Sequence, residues 1–99
     1  MSQLLVHTVF FSLNDNKNSD GEAYFFEAAK KLSEIPGVFD FKCVKQISAK
    51  NNFDYGLTMS FENDEAYQGY TDHPDHVDFV EKIWKKHVRE FLEIDYRDL

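Results

Sequence analysis

Apolar residues recur at every second position near the start of the chain. Leu5, His7, Val9, Phe11 and Leu13 fall on one side of an extended segment, and Val6, Thr8, Phe10 and Ser12 on the other. Both sides are largely apolar, which predicts a strand covered on both faces. The polar run "NDNKNSDG" at 14–21 ends it. Ser19 and Glu22 have capping-box spacing, and the helix after them sets Phe25, Ala28, Leu32 and Ile35 on one stripe until Pro36-Gly37 stops it. "VFDFKCVKQIS", 38–48, reads as a second strand. "FDYGLTMSFE" reads as a third, with Tyr55, Leu57, Met59 and Phe61 on one face. Asn63 or Asp64 caps a short helix through Ala66, Tyr67 and Tyr70. Pro74 suits the first turn of a further helix, with His73 just outside it; that helix carries His76, Val80, Ile83 and His87 on one side and Phe79 beside them. "FLEIDYRDL" closes as a fourth strand, with Leu92, Ile94 and Tyr96 on one face.

The order β-α-β-β-α-α-β predicts an α+β, ferredoxin-like protomer, a four-stranded antiparallel sheet with its helices on one side. The other side keeps apolar residues, among them Phe10, Phe39 and Phe41. Such a face calls for a second copy, so the expected assembly is a homodimer, a dimeric α/β barrel.

Ninety-nine residues make a single domain, 1–99, long enough for a core without metal or disulfide staples. The net charge of −7 argues against nucleic acid and anionic membranes as partners, because phosphate contacts need clustered Lys and Arg. The one dense basic run, "KIWKKH" at 82–87, reads as a solvated helix face. Cys43 is the only cysteine, so no internal disulfide forms, and a reducing, cytoplasmic setting is expected. The opening "MSQLLVHTVFFSL" lacks the basic region and cleavage site of a leader, and no apolar run approaches the ~18 residues of a spanning helix.

Candidate chemistry concentrates in "GYTDHPDH" at 69–76, which gathers Tyr70, His73 and His76 in a chain of four histidines. A neutral histidine, with an ordinary pKa near ~6.5, suits a general base, and a tyrosine hydroxyl suits a donor to a developing oxyanion. The same residues also fit a plain structural reading, His76 packed under its helix and Tyr70 a core aromatic. His7, on an apolar strand face, reads as a hydrogen-bonded core histidine unless His76 lies near it. His73 and His76, with Asp72 and Asp75 beside them, have ligand character, but Pro74 separates the two rings at a helix start, and no metal is expected. Phe25, Tyr55, Leu57, His73 and Phe79 join His7 as candidate ligand contacts by pattern. His87 reads as favouring a helix dipole, Trp84 as core, and Cys43 as unreactive. No phosphate loop or nucleophile elbow occurs, and no cofactor is expected.

The first-strand "LVHTVFFSL", "IPGV", "SFEN", the Y-x-x-H-P-x-H arrangement at 70–76 and the closing "IDY" together resemble the stress-responsive dimeric α/β-barrel family, Dabb, across essentially the whole chain. The resemblance implies a ferredoxin-like protomer and a dimer. A plant branch, similar to olivetolic acid cyclase, closes polyketides by aldol condensation. It implies catalytic roles for Tyr70 and His76 and a pocket position for His7. This chain departs from that branch at Ala28, where the branch carries a tyrosine. Two functions stay open. One is a cofactor-free aldol-type cyclase or lyase acting on a small hydrophobic or aromatic acid or a polyketide-like compound. The other is a non-catalytic structural or stress-response dimer, with or without a small-molecule ligand.

Overall fold

Strand β1 (Leu5–Leu13) leads into α1 (Asp20–Lys30), which tightens into a 3-10 turn (Lys31–Glu34). Strands β2 (Phe39–Lys45) and β3 (Tyr55–Phe61) follow, then α2 (Asp64–Asp72) and α3 (Pro74–Phe79). A π-helical turn (Val80–Trp84) and a last turn (Lys85–His87) carry the chain into β4 (Val88–Tyr96). The structure, a computed structural model, describes residues 4–99. Residues 1–3, where the opening apolar segment begins, lie outside the described residues. The sheet order is β2-β3-β1-β4 with every neighbouring pair antiparallel, the ferredoxin-like arrangement that the order of elements predicts. Among the described residues no helix is long and apolar enough to cross a membrane.

Local chemistry places the boundaries. The Ser19 hydroxyl accepts from the Glu22 N–H at 3.2 Å, as the spacing predicts, while the Glu22 carboxylate accepts from the Asn18 N–H rather than closing the box on Ser19. Of the two candidate caps for α2, Asn63 serves, accepting from the Ala66 N–H at 2.8 Å. Gly37, at φ 92°, makes the left-handed turn into β2 that a side chain would strain.

The core fills the space between the helices and one sheet face. Phe11, Leu57, Met59 and Phe61 rise from the sheet to meet Phe25, Ala29, Leu32 and Ile35. Phe11 packs on Phe25 at 5.4 Å and edge-on to Trp84 at 5.2 Å between ring centroids. Ala29, not Ala28, lies at the buried centre of the α1 stripe.

The structure corrects the expected elements in several places. β4 begins at Val88, three residues before the expected start, because the helix run ends at His87 and Leu13 pairs with Val88. The helix from Pro74 is not uniform but widens into the π turn at Val80. β2 stops at Lys45 and contains a bulge: Asp40 takes φ 54°, and pairing with β3 shifts between Phe39 and Lys42. As a result Phe41 packs on the helix-side core and does not join Phe10 and Phe39 away from it.

On the open side of the sheet, Leu92, Ile94 and Tyr96 of β4 are half-exposed and pair with Phe10, Thr8 and Val6 of β1. Phe25 is wholly buried, so Phe25→Ala is expected to cost ~3–5 kcal/mol of stability. A urea midpoint shift with an unchanged m value is the check.

Candidate functional site

Between the helix side of the sheet and the α2–α3 layer lies a cavity of about 220 Å³. His7 and Val9 of β1, Leu57 and Met59 of β3, and Phe91 and Glu93 of β4 form its floor. Leu32, Tyr70, His76, Phe79, Val80 and Trp84 close it from the helix side. Val80 and Trp84 bound the π turn, and both reach the cavity.

The turn between α2 and α3 positions the main pair. His73 is the N-cap of α3, its Nδ1 accepting from the Asp75 N–H at 3.1 Å, with Pro74 in the first turn behind it. His73 therefore shapes the helix start and does not line the cavity. One turn on, the His76 ring packs on Tyr70 at 4.5 Å. Its Nδ1 lies 2.9 Å from the Thr71 carbonyl oxygen. A carbonyl only accepts, so Nδ1 carries the proton and the neutral ring keeps its lone pair on Nε2. Burial lowers the pKa of His76, as does the nearby His7 ring, against the opposing pull of the Thr71 carbonyl and the Glu93 carboxylate. The ring is poised as a neutral base.

Tyr70 is almost fully buried, its ring against Phe61 at 5.3 Å. No hydrogen-bond partner of its hydroxyl is found among the described residues, yet no sealed-off side-chain polar atom lacks a partner. The hydroxyl therefore opens onto the cavity. Burial, reinforced by the Glu93 charge, pushes its pKa well above the ordinary phenol value and keeps the proton on oxygen.

A second polar group stands on the sheet side. The Nδ1 of His7 lies 2.6 Å from Asp95 Oδ1 and 3.6 Å from Glu93 Oε2. The Tyr67 hydroxyl lies 3.0 Å from both carboxylates and 3.2 Å from His7 Nδ1. Burial and these acceptors push the Tyr67 phenol strongly upward.

Of the residues singled out from the sequence, the structure brings His7, Leu57, Tyr70, His76 and Phe79 around one cavity. It does not bring Phe25, Tyr55 or His73 there. Phe25 sits in the core against Phe26 and Phe79. The Tyr55 hydroxyl donates to Glu22 at 2.5 Å, and burial together with that carboxylate pushes its pKa up to about 12. His87 pairs with Asp15 at 2.7 Å and so ties the last helical turn to the β1–α1 loop. Sequence reasoning missed Glu93, Asp95 and Tyr67. The signal was present: with Leu92, Ile94 and Tyr96 on one face of β4, Glu93 and Asp95 must occupy the other, the face shared with His7. Ala28 borders a separate groove of about 450 Å³ between α1 and α3, which Leu32 and Phe79 part from the inner cavity.

Residues 5–98 match the family described as the stress responsive A/B barrel domain, Dabb. No curated protein matches the chain significantly. Among solved structures, a Dabb family protein with a ferredoxin-like fold from Mesorhizobium loti is 44% identical, with a TM-score of 0.95 over 98% of both chains. A dimeric ferredoxin-like protein of unknown function from Thermobifida fusca is 20% identical, with a TM-score of 0.79 over 99% of this chain and 93% of its own. A hydroxynitrile lyase from Passiflora edulis is 11% identical, with a TM-score of 0.86 over 100% of this chain and 96% of its own. The last two share the fold.

The lowered His76 pKa has a sign. The folded state favours the neutral ring, so the unfolded chain binds the proton more readily. Stability is therefore full above ~6.5, falls as pH drops below that value, and levels off beneath the folded pKa. An NMR titration is expected to show the His76 ring protonating below free histidine; a value at or above it contradicts the buried placement.

Proposed function

The chain belongs to the stress-responsive A/B barrel domain family, and from that premise we propose that its inner cavity binds a small, mostly apolar carbonyl compound and supports cofactor-free, aldol-type acid–base chemistry, as a cyclase or lyase. The observation that carries this reading is the Tyr70–His76 pair, a protonated phenol opening onto the cavity beside a histidine whose Nε2 holds the lone pair. In this reading His76 removes a proton from carbon next to a carbonyl, and Tyr70 donates to the oxygen on which charge develops. Such a step uses proton transfer and an oriented donor and asks for no nicotinamide or flavin. The apolar lining of Val9, Leu57, Met59 and Phe79 holds the rest of the ligand. None of the lining residues is Lys or Arg, and Glu93 is among them, which favours a neutral aromatic or polyketide-like carbonyl over its acid form. A hydroxynitrile lyase with the same fold supports lyase chemistry on this scaffold.

The working unit in this proposal is a homodimer in the cytoplasm, joined through the open sheet face. Leu92, Ile94, Tyr96 and Phe39 leave an apolar patch there, and several structures of this fold are described as dimeric. Cys43, half-buried with its thiol pushed up by burial, suits a reducing setting.

Two measurements test these statements. A panel of small aromatic ketones, aldehydes and β-dicarbonyl compounds is screened by following the ring signals of His76 and His7, then for turnover. His76→Ala and Tyr70→Phe are expected to keep the fold and lower turnover ~10²–10⁴-fold. Unmoved histidine signals across the panel, with no turnover, would leave the non-catalytic dimer as the better reading. Sedimentation at micromolar concentration is expected to give a dimer. Ile94→Lys, which places an unpaired polar group in each half of the interface at ~1–3 kcal/mol apiece, is expected to raise the dissociation constant ~30-fold or more. A stable wild-type monomer removes the dimer.

A further inference from the structure

We propose that His7, Glu93 and Asp95, with the Tyr67 hydroxyl, form a binding site for a divalent first-row metal ion. His7, Glu93 and Asp95 each offer a donor atom within 4.8 Å of the others. The individual separations include 2.6 Å for His7 Nδ1 to Asp95 Oδ1, 3.0 Å for Tyr67 to either carboxylate and 3.6 Å for His7 Nδ1 to Glu93 Oε2. Neighbouring donors around an ion held at ~2.0–2.2 Å stand about 3 Å apart, so small side-chain movements bring all of them into contact with one ion. One imidazole nitrogen and carboxylate oxygens suit Zn²⁺ or Mn²⁺.

The charge and proton inventory favour a cation. Two carboxylates face one imidazole N–H and one phenol O–H. The phenol proton serves only one of its two 3.0 Å carboxylate contacts, and the other sets two oxygens together with no proton between them. The basic side chain nearest to Asp95 in sequence, Arg97 just past the end of β4, is held by Asp64 of α2. An ion that takes the place of the Nδ1 proton fills this deficit. The donors are also well held. His7 is nine-tenths buried on the central strand, and Tyr67 sits on α2 above it. Glu93 and Asp95 are two apart on β4, so they share a face. His7 and Glu93 line the inner cavity, so an ion here presents its free coordination positions to whatever enters.

This site stands apart from the acid–base reading, which rests on Tyr70 and His76. The test titrates Zn²⁺ by calorimetry, and Co²⁺ by its visible bands and its paramagnetic broadening of histidine signals, into chelator-treated full chain. The expected result is one ion per chain with micromolar affinity, and His7 signals broadened before those of His73 and His87. Glu93→Gln, at a half-exposed position, and Asp95→Asn are expected to weaken binding at least tenfold. His73→Ala, a control for the surface His73–Asp75 pair, and Tyr70→Phe are expected to leave it unchanged. No binding up to millimolar metal overturns the site. So does binding that survives both carboxylate changes or is lost in His73→Ala, and so do His7 signals that stay sharp. In each case the Tyr70–His76 chemistry is left to its own test.

Discussion

Strand β1 is hydrogen-bonded on both edges, to β3 and to β4, and its register decides which side chains meet across the sheet. In that register His7 stands opposite Met59 on one side and Asp95 on the other. Val9 meets Leu57 and Glu93, and Phe11 meets Tyr55 and Phe91. A slip of one residue would turn His7 to the open face and bring Thr8 and Phe10 under the helices. Two kinds of interaction hold the register. Phe11, Leu57, Met59 and Phe61 are buried under the helix layer, and each fully buried side chain of this kind contributes ~1.5–3 kcal/mol. The His7–Asp95 contact adds polar specificity, because in this register the buried imidazole N–H meets a carboxylate.

The helix layer answers to this sheet. Its polar residues are spent first on geometry: Ser19 and Asn63 cap α1 and α2, and His73 caps α3. The His73 cap and Pro74 fix the angle at which α3 leaves α2. That angle lays the His76 ring on Tyr70 and brings its Nδ1–H to the Thr71 carbonyl. The chain "YTDHPDH" thus divides its labour. His73 belongs to the fold, and His76 is left with a free Nε2 at the cavity. The π turn that follows spans Val80 to Trp84, and both of these residues line the cavity.

How much of this was legible beforehand follows from the range of each interaction. Alternation and capping act over a few residues, so the order of elements, the sheet class, the cap at Ser19 and the choice of Asn63 or Asp64 for α2 could be read from the chain, whereas the capping role of His73 could not. The apolar second face of β4 could be read too. Features set by pairing between distant segments could not. The Asp40 bulge separates Phe39 from Phe41, although their spacing puts them on one face of a regular strand. The early start of β4 at Val88 depends on Leu13. Tyr55 and Phe25 carry the right chemistry for a ligand contact, but Glu22 engages one and the aromatic core encloses the other. The acidic half of the site was only partly legible: alternation puts Glu93 and Asp95 opposite Leu92, Ile94 and Tyr96, but their place beside His7 depends on pairing. Glu93 and Asp95 look like solvated residues on an edge strand until the register sets them beside His7.

The two ends of the cavity act on each other through charge. The His7 ring lowers the pKa of His76, and the Glu93 carboxylate raises it. Glu93 also raises that of Tyr70. Glu93 therefore strengthens His76 as a base and holds the proton on Tyr70, two effects that both serve a neutral-ligand mechanism. Any positive charge placed among His7, Glu93 and Asp95 offsets that carboxylate. It weakens His76 as a base, eases ionisation of Tyr70, and makes the cavity more hospitable to a ligand with negative charge. In the proposed chemistry the charge state of the sheet-side cluster would thus set which ligands the helix-side pair acts upon, with the His7 ring and the Glu93 carboxylate as the links between them.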